Sequence, residues 1–285
     1  MAVYKRTYRG YSGPLTPAWS RFLVLYRFAR RTMFQSKFQT GFFTLCFFFP
    51  LLCLLAVYTR SHLNVLPSLE RSRSLLSIDA SFFFVFMSVQ STLAFLLTAF
   101  VGPGLVSPDL ANGGLTLYLY RPLSRTEYVL GKMSALVITL SWITWIPGLA
   151  LFFTQAVVGP PGWVHGNWSV ALGLVVGSFL WILVLSLLSL ALSAWVKWRI
   201  IAGALLLAVF FLGAGFAQAV NGVLRTEQGY LLDLSRLIST IEQYFFRDGA
   251  SQPLSVSEAV VALLIFSGCF LWLLMRKIRP NEVIE

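Results

Sequence analysis

Charge is scarce in this chain: only 12% of its 285 residues are Asp, Glu, Lys or Arg, against roughly 25% in soluble domains. A soluble fold of this length spreads charge along every element. Here the charges gather in patches between long runs that hold almost none, which excludes an ordinary water-soluble globule. Histidine is scarcer still, with only His62 and His165, both outside the apolar runs. There is no His-Glu-x-x-His zinc pattern, no Gly-x-Ser-x-Gly elbow and no acidic pair for metal-dependent transfer. The sequence therefore predicts no catalytic residue, no resident metal and no cofactor, that is, no enzyme. The near absence of ionisable groups from the apolar runs also weighs against ion-coupled transport, without settling it, because backbone carbonyls bind ions too. The three cysteines, Cys46, Cys53 and Cys269, have neither disulfide-framework nor metal-ligand spacing and read as small buried hydrophobes. No cleavable leader is expected: the first apolar run starts near Gly41, behind a basic segment too long for a signal's n-region.

What is present is apolar. Hydrophobic residues make up 57% of the chain, with 25 Phe and 9 Trp, and mean hydropathy is +0.75. Six segments meet the length and polarity of a spanning helix, which needs about 20 mostly apolar residues. They cover 41–58, 80–106, 134–158, 170–196, 200–220 and 258–275. A backbone in lipid must satisfy its own hydrogen bonds, so each is expected to be a helix, and the fold all-α and polytopic. Pro50, Pro103 and Pro147 fall within these runs or near their ends, where kinks are tolerable.

Orientation follows from Lys and Arg in alternate loops. With the N-terminus inside, inner segments hold 16 and outer segments six, so both termini are expected in the cytoplasm and the membrane is expected to be a bacterial inner membrane. Net charge is +11, but eight Lys/Arg and no acid lie in residues 1–40, directly before the first run. That is the pattern of a juxtamembrane region facing anionic lipid, and it argues against nucleic acid as a partner.

Two further stretches carry an amphipathic repeat. Between Trp19 and Phe38, the residues Phe22, Tyr26, Ala29 and Met33 form one stripe, with Arg27, Arg30, Arg31 and Lys37 mostly off it. This predicts an elbow helix in the inner interface, making residues 1–40 a cytoplasmic basic segment ahead of a membrane domain over 41–285. In the outer loop 221–257, Leu231, Leu234, Ile238, Ile241 and Phe245 recur at three and four. Asp233, Arg236, Glu242 and Gln243 lie opposite, so a second surface helix is expected there. Gln90, Gln155 and Gln218 in the runs read as interhelical hydrogen bonds, and Gly173, Gly177, Gly203, Gly213 and Gly215 as close helix contacts. Asn167-Trp168-Ser169 matches a glycosylation acceptor, a pattern frequent by chance. A cytoplasmic tail occupies 276–285.

The inner loop 107–133 is the most structured of the connections. Ser107-Pro108-Asp109 reads as a helix start, with Pro in the first turn and an acid near the dipole. Leu110 continues it, and Asn112-Gly113-Gly114 ends it. After Arg121-Pro122-Leu123, Ser124 stands three residues before Glu127, a capping box that opens a helix running on into the third span. A plain connector needs fewer residues, which favours a rigid projection for a cytoplasmic partner to grip.

The run Ser107-Pro108-Asp109-Leu110-Ala111-Asn112-Gly113-Gly114-Leu115, followed by Arg121-Pro122-Leu123-Ser124-Arg125-Thr126-Glu127-Tyr128-Val129-Leu130-Gly131-Lys132, resembles the loop between spans two and three of the ABC-2 class of ABC exporter permeases. Asp109 stands where that family usually has Glu, and Gly114-Leu115-Thr116 reorders its usual Gly-Thr-Leu. The resemblance implies a transmembrane subunit that pairs with a second permease chain and with two cytoplasmic ATPase subunits. Those subunits would bind ATP and Mg, since this chain has no phosphate-binding Gly-x-x-x-x-Gly-Lys-Ser/Thr loop. It further implies that Pro108, Asp109, Leu110, Asn112, Gly113, Arg121, Ser124, Arg125 and Glu127 form the docking loop, with Asp109 meeting a donor on the ATPase. Two other readings stay open: an assembly protein docking a non-ATPase partner, and a secondary transporter. The transported substrate is not legible.

Overall fold

A computed structural model describes residues 17, 20–62, 78–114, 124–246 and 253–278. Among them there is no strand. Six helical stretches are long and apolar enough to cross a membrane: Lys37–Arg60, Ala80–Ala111, Arg125–Val158, Trp163–Trp195, Arg199–Leu224 and Val256–Lys277. Each contains or overlaps one of the runs read from the sequence.

Helix α1 (Arg21–Met33) ends at a turn before α2 (Lys37–Leu45), so the predicted elbow stops short of Phe38. Trp19 lies outside the described residues. The first span is α2 followed by α3 (Phe48–His62). Its break has a simple origin. Pro50 has no N–H, so the carbonyl of Cys46 loses its helical donor. The Gln90 side chain, fully buried on α4 (Ala80–Val101), donates to that carbonyl at 3.2 Å. Gln90 is thus an interhelical bond, as read; Gln218 is exposed.

A 3-10 turn (Gly102–Gly104) links α4 to the five-residue helix α5 (Ser107–Ala111). The third span, α6 (Arg125–Ile143) and α7 (Trp145–Val158), breaks at Thr144, three residues before Pro147. The fourth, α8 (Trp163–Trp195), starts earlier than the apolar run and kinks at Asn167, whose amide donates to Trp163 O at 2.9 Å. The Asn167 amide is therefore held inside a helix, an unfavourable place for a glycan acceptor. The fifth span is α9 (Arg199–Leu224) and the sixth α11 (Val256–Lys277).

The fourth span is the hub. In its most apolar window 61% of residues are buried, against 22% in the first and last spans. Ends of several helices meet at one end of the bundle. There Arg199 and Gln39 both donate to Phe100 O, and Trp195 Nε1 donates to Leu273 O. At the other end Trp163 packs against Phe83 and Phe152.

Helix α10 (Leu234–Phe246) differs from the expected surface helix. Leu234, Ile238 and Ile241 are buried, following the repeat, but Glu242 from the supposed polar side is only 4% exposed. The reason is the glycine pair on α8. A Cβ at Gly173 would meet Phe245 at 2.8 Å, and one at Gly177 would meet Glu242 at 2.9 Å, so α10 presses close where side chains are missing. Gly177 is 14 residues from one end of α8 and 18 from the other. Helix α10 therefore reaches the middle of the bundle instead of lying across its end.

Candidate functional site: a locked turn at one end of the bundle

Helix α5 and the start of α6 lie side by side at the end of the bundle where Phe100 and Leu273 also sit. The α6 cap is the one the sequence announces. Glu127 N donates to Ser124 Oγ at 3.2 Å, and Ser124 N donates to Glu127 Oε2 at 2.6 Å. At the other side of the turn, Asn112 caps α5 and Gly113 takes φ of +65°, a left-handed conformation in which glycine carries no Cβ penalty.

The root of α5 is fixed by polar groups closed off from solvent. Lys132 Nζ is 2.9 Å from Asp109 Oδ2, with the two side chains 3% and 15% exposed. The same ammonium donates to Leu105 O at 2.7 Å, and Tyr128 OH donates to Asp109 Oδ2 at 2.7 Å. The rings of Tyr128 and Phe28 stand 5.6 and 5.9 Å from Lys132 Nζ, adding cation–π attraction in a desolvated place. A second knot joins α5 to α8. Ser193 Oγ accepts from Ser107 N at 2.8 Å and Val106 N at 3.2 Å, and donates to Pro103 O at 2.8 Å. Ser107 Oγ lies 2.7 Å from Val196 O and 3.0 Å from Ser193 O, both acceptors for its proton. These bonds take up the N–H groups that a helix start leaves unpaired.

Helix α1 buttresses the far side of α6. Leu25, Ala29 and Met33 are buried there, with Phe22 and Tyr26 half-buried, while Arg27, Arg30 and Arg31 are exposed. The crossing is tight at Gly131, where an added Cβ would lie 2.6 Å from Leu25 Cβ and 3.0 Å from Phe22 O. Gly131 and Lys132 are thus adjacent residues with separate tasks. One admits α1, and the other ties α5 to α6.

Of the residues singled out in the sequence, Asp109 is turned inward and paired, not outward. Pro108 and Leu110 are half-buried, and Asn112, Gly113, Ser124 and Arg125 are exposed, with Ala111 and Thr126 beside them. Arg121 lies outside the described residues. Lys132, Tyr128, Ser107 and Ser193 were not among those site residues. A lysine just ahead of an apolar run, opposite a loop acid, was a readable sign of the ion pair. Nothing in the sequence separates Ser193 from Ser186 or Ser189. Among the described residues no group of three or more His, Cys, Asp or Glu could hold a metal ion. These features define a helical protein with six stretches long and apolar enough to span a membrane, and with the short helix α5 tied to α6 and α8 at one end of the bundle. Compared with known proteins, the chain matches no family model and no curated protein.

Proposed function

We propose that the chain is the transmembrane permease subunit of an ATP-driven exporter of the ABC-2 class. The observation that carries this reading is the projection formed by α5 and the start of α6, exposed at Ala111–Gly113 and Ser124–Thr126 and locked at its root to α6 and α8. A cytoplasmic ATPase gripping that tip would move three spans as one body, because Asp109–Lys132 and Ser107–Ser193 leave no soft joint between tip and bundle. ATP-driven closure of two such ATPases would then switch a pair of permease chains between inward- and outward-open states. In this scheme ATP and Mg stay with the ATPase subunits. Helix α1 is the elbow lying in the inner interface, both termini are cytoplasmic, and the membrane is a bacterial cytoplasmic one.

Because Asp109 is held internally, the tip is best tested at Ala111 and Asn112. Ala111→Arg and Asn112→Arg should leave the chain folded in the membrane. They should lower copurification with the ATPase, or ATPase activity in the reconstituted complex, by at least about tenfold, the equivalent of about 1.4 kcal/mol. The chain alone should hydrolyse no ATP. If both variants keep association and coupled ATPase activity at wild-type levels, the loop is a connector and the docking role fails.

A further inference from the structure

Helices α1, α2 and α6 enclose a cleft of about 480 Å³ on the flank of the bundle. Arg30 of α1 is the one charged side chain lining it, and Phe34, Phe43, Phe47 and Trp142 supply apolar wall. The guanidinium stands 5.8 Å from the Tyr26 ring, also in the lining, and among the described residues no carboxylate pairs with it. Residues 20–62 contain no Asp or Glu at all. Exposed Arg27 and Arg31 flank the same turn of helix.

The two ends of this cleft differ chemically. Helix α1 has 13 residues and does not span, whereas α2 and α6 belong to spans. Phe43 lies six residues beyond Lys37, or about 9 Å along α2, and Phe47 follows in the turn between α2 and α3. Trp142 is ten residues beyond Lys132, or about 15 Å along α6. The cleft therefore runs from a cation on a non-spanning helix to aromatic walls inside the apolar layer. Exposed Ile138 and Trp142 leave its side open along the bundle. Although Arg30 is exposed, its guanidinium at the mouth of an apolar cleft suits an anion with several acceptor oxygens, and its planar fork matches a phosphate.

We infer that this cleft is a binding site for an anionic phospholipid, the phosphate on Arg30 and an acyl chain along Phe43, Phe47 and Trp142. The site stands independently of the exporter reading, because it uses only this chain and the bilayer. The charge pattern favours an anionic over a zwitterionic headgroup, since among the described residues no acid lines the cleft to accept a choline or an amine.

Native mass spectrometry of the purified full chain, titrated with phosphatidylglycerol or phosphatidylcholine, tests it. One phosphatidylglycerol should stay bound to the wild type, at least about tenfold more tightly than phosphatidylcholine. Arg30→Glu should remove that preference, and Arg30→Lys should restore part of it. Arg27→Glu makes the same charge change on the same helix outside the cleft, and should keep affinity within about threefold. Equal binding of the two lipids by wild type, or equal losses in Arg27→Glu and Arg30→Glu, would replace the site with a diffuse basic surface and overturn the proposal. Retained binding by Arg30→Glu would overturn it as well.

Discussion

Lys132 is 3% exposed, and an ammonium so enclosed has to be compensated on every side. It faces Asp109, the Leu105 carbonyl and two aromatic rings, while Tyr128 gives Asp109 a second donor. Removing one partner of such a pair strands the other, at a cost of about 3–5 kcal/mol. Asp109→Ala should therefore lower the melting temperature sharply. Asp109→Leu combined with Lys132→Met should be less destabilised than Asp109→Ala alone, because no charge is left behind; additive losses in a double-mutant cycle would contradict the pairing. Glu242 poses the opposite case. Helix α4 carries no acidic or basic side chain, and those of α8 and α11 lie near their ends. Burial pushes the Glu242 carboxyl from 4.5 up to about 8 on α10, which does not cross the membrane. The folded protein then keeps a proton the unfolded chain has already released, so stability falls as pH rises between those values. Glu242→Gln abolishes that titration. Its melting temperature should approach wild type near pH 5 and exceed it at pH 9, and a gap that ignores pH would rule the account out.

Among the elements, α6 was legible in its cap, and α5 in its start and end but not in what fixes it. Ser124 and Glu127 signal a helix start through a local pairing three residues apart, and the cap forms there. The fixing of α5 depends on partners 86 residues away, a distance over which residue spacing carries no signal. The repeat in α10 gave its buried apolar stripe, but not the depth, which is set by two glycines on another helix. Helix α1 was legible as an amphipathic stripe, though Leu25, which meets Gly131, was not on it. Gly131→Ala should push α1 off α6 at a cost of about 1–3 kcal/mol, as overpacking does. A disulfide engineered across α1 and α6 should then form more slowly than in the parent; unchanged formation would mean that α1 shifts without strain. Ser124→Ala should cost only about 1 kcal/mol, the usual worth of a cap.

At the scale of the whole molecule, six helices long and apolar enough to cross a membrane match the six apolar runs, and the Lys and Arg count predicts their sidedness. Single cysteines introduced into a chain lacking Cys46, Cys53 and Cys269 test it. Ser12→Cys and Asn281→Cys should react only with a reagent admitted to the cytoplasm, and Gly162→Cys only with one kept outside. Labelling of Ser12→Cys from outside would invert the topology. The bundle is also built in time as well as in space. Leu25 and Gly131 are 106 residues apart in the chain, so at 5–20 residues per second α1 is made about 5–20 s before its seat exists. Ser107 likewise waits on Ser193. During translation α1 must therefore rest on something other than α6, and the turn at α5 gains its stiffness only after the fourth span, α8, has been inserted.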